Sequence, residues 1–284
     1  MSDDIMVVDG KTYTHSTRNR RSLKLKEWGI NESVFRSTVG SSGEKVYPGK
    51  TFFINTDSLG FIDNENGIES QEKIAILSGS YVECMFMKPK QRLVSHMERR
   101  INETRSPVQC LNCSMSGTHI LHALFVLLAK IVPIQPALCI YLIDINDFRA
   151  CRMENSYYTR HKNLSIFTND KEEVAETTPN YTYFRKFIRD FWSICKIHGI
   201  PCAFFGRTYA SDDKRTSANR AAKKVCESLN ASYVDIGDAV KEKFHLNKDY
   251  DEFITKLTYD KTHLTPYGAS VVGDILADEA LKLL

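Results

Sequence analysis

The chain has 284 residues with 42% hydrophobic and 26% charged side chains, ordinary globular usage that suits one large α/β domain with an extension, or two small domains. A net charge of +3 argues against a polyanion binder, and no nucleic-acid partner is expected, because no aromatic-rich basic module accompanies the basic clusters at Arg18 to Lys26 and Lys88 to Arg100. The longest apolar stretch, Ile120 to Ile134, contains His122 and Lys130 and is too short and interrupted to span a bilayer.

Met1 to Gly10 carries acidic residues early and no long apolar run, so no signal peptide is expected and the protein reads as cytoplasmic. Residues 1–70 are polar, rich in turn signals and short of helical periodicity. They are expected to form a β-rich N-terminal extension on a main domain over 71–284.

From Lys73 onward, short apolar runs alternate with longer periodic segments, the pattern of βαβ units. Lys73 to Leu77 is a predicted strand, and Gln91 to Asn102 a helix with Leu93, Met97 and Ile101 on one face. Val108 to Cys113 is a second strand and Gly117 to Ile131 an apolar helix. Ala137 to Ile143 is a third strand, apolar throughout as in the middle of a parallel sheet. Residues 149–179 are long for a connection inside a compact domain, and such loops are commonly lids or binding loops, or else disordered. Tyr181 to His198 is a helix ending at Gly199, Pro201 to Phe205 a strand, Lys214 to Leu229 a helix and Ser232 to Ile236 a fifth strand. Tyr250 to Leu257 is a short helix, and Pro266 to Leu284 a closing helix with proline near its first position.

The eight cysteines read as free thiols, several lying inside apolar runs. Cys110 and Cys113 form a CxxC, but three residues apart on a strand they point to opposite faces, and no second pair follows at zinc spacing. No metal site is expected.

The chemistry lies where these strands end. Ester hydrolysis by a serine needs an exposed hydroxyl, a histidine to take its proton, a carboxylate to orient the histidine and donors for the oxyanion. After the first predicted strand comes Ser78-Gly79-Ser80, which presents Ser80 at a turn. After the second comes Ser114-Met115-Ser116-Gly117, with a glycine N–H near a helix start, and after the third Asp144-Ile145-Asn146-Asp147, with an amide donor in Asn146. Near the C-terminus, Asp260-Lys261-Thr262-His263-Leu264-Thr265-Pro266 sets a carboxylate three residues before a histidine.

The ordered set Ser80, Gly117, Asn146 and His263, with Asp260, resembles the four blocks of the SGNH hydrolases, the GDSL-like esterase superfamily, across residues 73–284. The stretch from Asp260 to Gly268 is the most specific part. The resemblance implies a three-layer α/β/α sandwich on a five-stranded parallel flavodoxin-like sheet. It also implies that Ser80 is the nucleophile, His263 the general base and Asp260 its orienter, with the Ser80 N–H, the Gly117 N–H and the Asn146 amide forming the oxyanion hole. The implied function is cofactor-free hydrolysis of short-chain esters, O-acetyl esters of a carbohydrate foremost. Carbohydrate O-acyl transfer, or glycan or partner binding without turnover, are the alternatives. The expected partner is a small-molecule or glycan ester; nothing in the sequence specifies an oligomeric state.

Two positions depart from the family pattern. Gly79 stands where the first block usually has Asp, and Asp144 where the third usually has Gly, so that Asp144 is expected to crowd the site or disfavour an anion there. Ser58, in Thr56-Asp57-Ser58-Leu59-Gly60, spells the first block better than Ser80 does. Its surroundings do not fit: turn residues and another strand follow it, with no intervening helix. His119 is a candidate substrate contact at the cleft mouth, and Tyr157, Tyr158, Arg160 and His161 are candidates to contact a sugar from the 149–179 segment. Asp147 is expected to fix its loop.

Overall fold

In a computed structural model of the chain, the residues described are 4–8, 11–15, 23, 26–105, 107–161, 163–166, 173–211, 213–246 and 248–284. Two antiparallel pairs come first, β1 (Asp4–Val8) with β2 (Lys11–His15) and β3 (Ser33–Ser37) with β4 (Thr51–Asn55). A central sheet follows, built of β5 (Lys73–Leu77), β6 (Gln109–Asn112), β7 (Leu138–Leu142), β8 (Cys202–Gly206) and β9 (Ser232–Asp235). All its pairings are parallel, and its order β6-β5-β7-β8-β9 is the flavodoxin-like one.

The strands are apolar on both faces because both are covered. Ile74 and Ile76 point into one core and Ala75 and Leu77 into the other, and β7 divides in the same way. The first face carries α2 (Leu93–Asn102), α8 (Ile236–Lys243), α9 (Tyr250–Leu257) and α10 (Pro266–Leu281), while α1 (Ser80–Glu83) is a single turn at the end of β5. The other face carries α3 (Ile120–Val126), α4 (Val132–Ile134), α5 (Ile145–Arg152), α6 (Thr182–Ile197) and α7 (Thr216–Leu229). This is the three-layer sandwich. Cys110 and Cys113 fall in opposite cores, and all eight cysteines are free thiols. Among the described residues, no helix is long and apolar enough to cross a membrane.

The structure corrects the sequence reading in three places. The helix expected from Gly117 begins at Ile120, because Gly117 is left-handed (φ +78°) and His119 is extended, and a π turn at Leu127–Ile131 interrupts it. The described residues of 149–179 do not form a free loop. Its start belongs to α5, set by a capping box in which Asp144 accepts from the Asn146 N–H and Asp147 reaches back to the Asp144 N–H. Farther on, Tyr157, Thr159, Leu164, Ser165 and Ile166 are buried. Last, α8 was not anticipated; Asp235 caps it by accepting from the N–H groups of Gly237 and Asp238.

The N-terminal region is tied to the sheet layer by buried polar contacts. Arg92 of α2, fully buried, donates to the carbonyls of Phe53 (2.6 Å) and Asp63 (3.4 Å). Glu98 accepts from the Asn64 and Asn66 amides. Ile62 forms an antiparallel bridge to Asn112, which covers the outer edge of β6.

Candidate active site

Ser80 is the first residue of α1, immediately past the carboxyl end of β5, with Gly79 as N-cap. Gly79 has φ −102°, so the turn itself does not demand glycine; the neighbouring Asp144 carboxylate does, by occupying the space a side chain would need. Asp144 is wholly buried and does not line the cavity. Its Oδ1 caps α5 by accepting from the Asn146 N–H, and the carboxylate crowds the backbone at Gly79 rather than the cavity.

The loop from Asp260 to His263 brings the histidine to Ser80. His263 Nε2 lies 2.9 Å from Ser80 Oγ, and His263 Nδ1 lies 2.7 Å from Asp260 Oδ2. Asp260 Oδ1 accepts the N–H groups of Thr262 (3.0 Å) and His263 (2.7 Å), so the carboxylate shapes the loop as well as orienting the ring. Burial alone would raise the Asp260 pKa, but these hydrogen bonds and the adjacent imidazole hold it down at about 2. Tyr259 stacks on the outer face of the His263 ring, with centroids 5.7 Å apart.

The rest of this stretch anchors the pair. Leu264 is buried, Thr265 caps α10 by accepting from the Gly268 N–H (3.0 Å), and Pro266 takes the first helical position. A β-carbon on Gly268 would lie 2.0 Å from the Leu257 carbonyl oxygen, so only glycine fits there. Lys261 at the tip is left-handed (φ +63°). Its carbonyl accepts from Arg215 (3.1 Å), and Arg207 donates to the Thr262 carbonyl.

The three groups expected to form an oxyanion hole lie around the same cavity. The Ser80 N–H sits in the first turn of α1, where no intrahelical acceptor exists. Gly117 and Asn146 both line the cavity. Asn146 is nearly buried; its Nδ2 donates to the Thr118 carbonyl (3.1 Å), which leaves one amide hydrogen to point elsewhere. Gly117 is held by Lys26, whose Nζ donates to the Gly117 carbonyl (2.8 Å) and the Asn163 carbonyl (2.6 Å). Ser116 beside it donates to Glu83, a buried carboxyl that burial pushes above its ordinary range against the pull of that hydrogen bond.

Asp147 braces the third block. Its oxygens accept from Ile120 N–H, Tyr157 OH, Tyr141 OH and Asp144 N–H. Burial raises its pKa to about 6 despite those donors.

These groups line a cavity of about 740 Å³. Lys26, Ser41 and Ser42 of the N-terminal region form part of its wall, and Met85, Phe86, Met87 and Met115 give it an apolar side. Ser58 lies elsewhere: it is exposed in a turn whose Asp57 accepts from the Leu59 and Phe61 N–H groups, outside this cavity.

None of the five substrate-contact candidates lines the cavity. His119 is buried rather than at the mouth; it hydrogen-bonds the Leu164 carbonyl (3.0 Å), and burial lowers its pKa to about 3. Tyr157 is buried against Asp147 and Phe187. Tyr158 is exposed but packs on Tyr183, and neither it, Arg160 nor His161 lines the cavity. Asn163 of the same segment does. Lys26, Glu83, Arg149, Arg207 and Arg215 had no local signature; a lone Lys or Arg in sequence carries no mark of which distant loop it meets.

No family model matches the sequence, and no curated protein matches it. Solved structures do. An acetylxylan esterase from Geobacillus stearothermophilus, in a catalytic-mutant form, aligns at 14% identity over 76% of this chain and 94% of its own, with a TM-score of 0.54. A GDSL-like lipase from Bacteroides thetaiotaomicron aligns at 12% identity over 75% and 90%, with a TM-score of 0.51. The psychrotrophic esterase EstA from Pseudoalteromonas sp. aligns at 12% identity over 74% and 97%, with a TM-score of 0.53. The chain has the fold of the GDSL-like, or SGNH, hydrolases, as the four ordered blocks implied.

Proposed function

We propose that this protein is a serine esterase that removes short acyl groups, O-acetyl foremost, from a carbohydrate. The observation that carries the reading is the continuous chain Ser80 Oγ, His263, Asp260, with contacts of 2.9 and 2.7 Å, beside the Gly117 and Asn146 donors. Ser80 Oγ attacks the ester carbonyl as His263 Nε2 takes its proton, and Asp260 holds the other ring nitrogen. The oxyanion forms against the Ser80 and Gly117 N–H groups and the Asn146 amide. Collapse breaks the bond to the alcohol, which leaves with the proton from His263. Water, deprotonated by the same imidazole, then attacks the acyl-serine and releases the acid. This sequence uses side chains and backbone alone.

The acetylated-carbohydrate reading is supported by the fold's likeness to an acetylxylan esterase and by a broad, partly polar cavity. The departures at Gly79 and Asp144 fit each other in space, which supports a reading in which the two changes are compatible with turnover. The test is labelling with a fluorophosphonate, followed by acetate release from acetylated oligosaccharides. The expected adduct is on Ser80, and Ser80→Ala loses both labelling and hydrolysis while staying folded. Labelling of Ser58 instead, or undiminished hydrolysis by Ser80→Ala, would overturn the assignment. Acetate release that requires an acceptor sugar would identify acyl transfer.

A further inference from the structure

Resting on the hydrolase reading, we propose that the ester cleaved here carries an anionic group on its alcohol portion, a sugar carboxylate foremost, and that Arg149 receives it. Arg149 follows Asn146 by three residues on α5, so the two side chains share a helix face, and both line the cavity. Arg149 is exposed and, among the described residues, has neither a hydrogen-bond nor an ion-pair partner. The next arginine, Arg152, is instead paired with Glu176 and lies over the Phe148 ring.

The cavity offers Arg149 no carboxylate of its own. Asp260 is the only acid among the described lining residues, and its oxygens are taken by His263 and two loop N–H groups. A second cation, Lys26, lines the same space, with its ammonium at the carbonyls of Gly117 and Asn163. An unpaired guanidinium one helical turn from an oxyanion donor is suited to fix the orientation of a substrate by a planar, two-point contact. Its fork matches a carboxylate or phosphate. A neutral acetylated sugar leaves that fork unused.

The test compares acetate release from an O-acetylated oligogalacturonide with release from the same material after methyl esterification of its carboxylates. The intact protein is expected to favour the acidic form by about tenfold in kcat/KM, the value of one good charge-assisted contact. Arg149→Glu removes or inverts that ratio through KM, and Arg149→Lys keeps part of it. Equal rates on the two forms, or a parallel loss on both in Arg149→Glu, would overturn the proposal. Calorimetry on the Ser80→Ala protein provides a readout without turnover. Galacturonate is expected to bind more tightly than galactose, and comparison with galactose 6-phosphate separates carboxylate from phosphate recognition. Indifference among the three sinks the anion site. Preference for galacturonate in Ser80→Ala, together with no ester hydrolysis by the intact protein, upholds the anion site and sinks the hydrolase reading.

Discussion

Gly79 and Asp144, 65 positions apart in the sequence, are complementary in space: a β-carbon built on Gly79 would lie 2.6 Å from the carboxyl carbon of Asp144. The pattern of the resembled family puts the acid in the first block and the glycine in the third, and this chain has them exchanged. The carboxylate is wholly buried and fixed by the Asn146 N–H, so it cannot swing aside cheaply. Each departure makes sense only with the other. Gly79→Asp alone is expected to lose activity and about 2 kcal/mol or more of stability through overpacking and an extra buried charge. Asp144→Gly alone should lose only about 0.3 kcal/mol with the N-cap, because glycine is itself a tolerated cap. The double exchange should recover much of the first loss, a positive coupling read from a thermodynamic double-mutant cycle. Additive losses would show that the two positions act independently.

Arg207 holds the loop that carries the proposed general base. It is buried, its guanidinium lies 4.0 Å from the centroid of Tyr81, and it donates to the carbonyl of Thr262, the residue before His263. Arg207→Met is expected to lower kcat about tenfold or more by freeing that carbonyl and loosening the histidine. KM should change little, and Arg207→Lys should restore part of the rate. A change confined to KM would assign Arg207 to substrate binding instead.

Asp260 links the triad to pH. Its pKa is depressed in the folded chain, from an ordinary value near 4 to about 2, so its contribution to stability is present above pH 4 and disappears as pH falls toward 2. Discounted for solvent screening of this part-exposed carboxylate, that contribution is on the order of 1 kcal/mol. Denaturant titrations of Asp260→Asn should show a flatter stability profile between pH 4 and pH 2 than the native protein. The same variant should lose roughly 10²- to 10⁴-fold in kcat at neutral pH, because the imidazole tautomer is no longer held.

Asn146, the proposed oxyanion donor, is held in place: its N–H is fixed by Asp144 and its amide by the Thr118 carbonyl. Asn146→Ala is expected to lower kcat about 10²- to 10³-fold on p-nitrophenyl acetate with KM nearly constant. A KM effect of that size with unchanged kcat would point to ground-state binding.

The sequence alone determined the succession of strands and helices from Lys73 onward, the place of Ser80, Gly117 and Asn146 after strands and the spacing of Asp260 and His263. These are local properties. Alternating cores and short turns are written in neighbouring residues, and from Asp260 to Gly268 each side chain has its own task within one loop and helix start. The exclusion of Ser58 was also legible, because a helix was missing after it. What only the tertiary structure decided are meetings between distant segments. Lys26 reaches Gly117 across 91 residues, Arg207 reaches Thr262 across 55, and Gly79 meets Asp144. The same limit explains why His119 and Tyr157 were expected at the substrate. Their polar tips suggested an exposed role, but each tip finds a buried acceptor, Leu164 and Asp147, which no local pattern announces. Periodicity reports which face of an element is buried; it cannot report which other loop arrives to pair with a polar group.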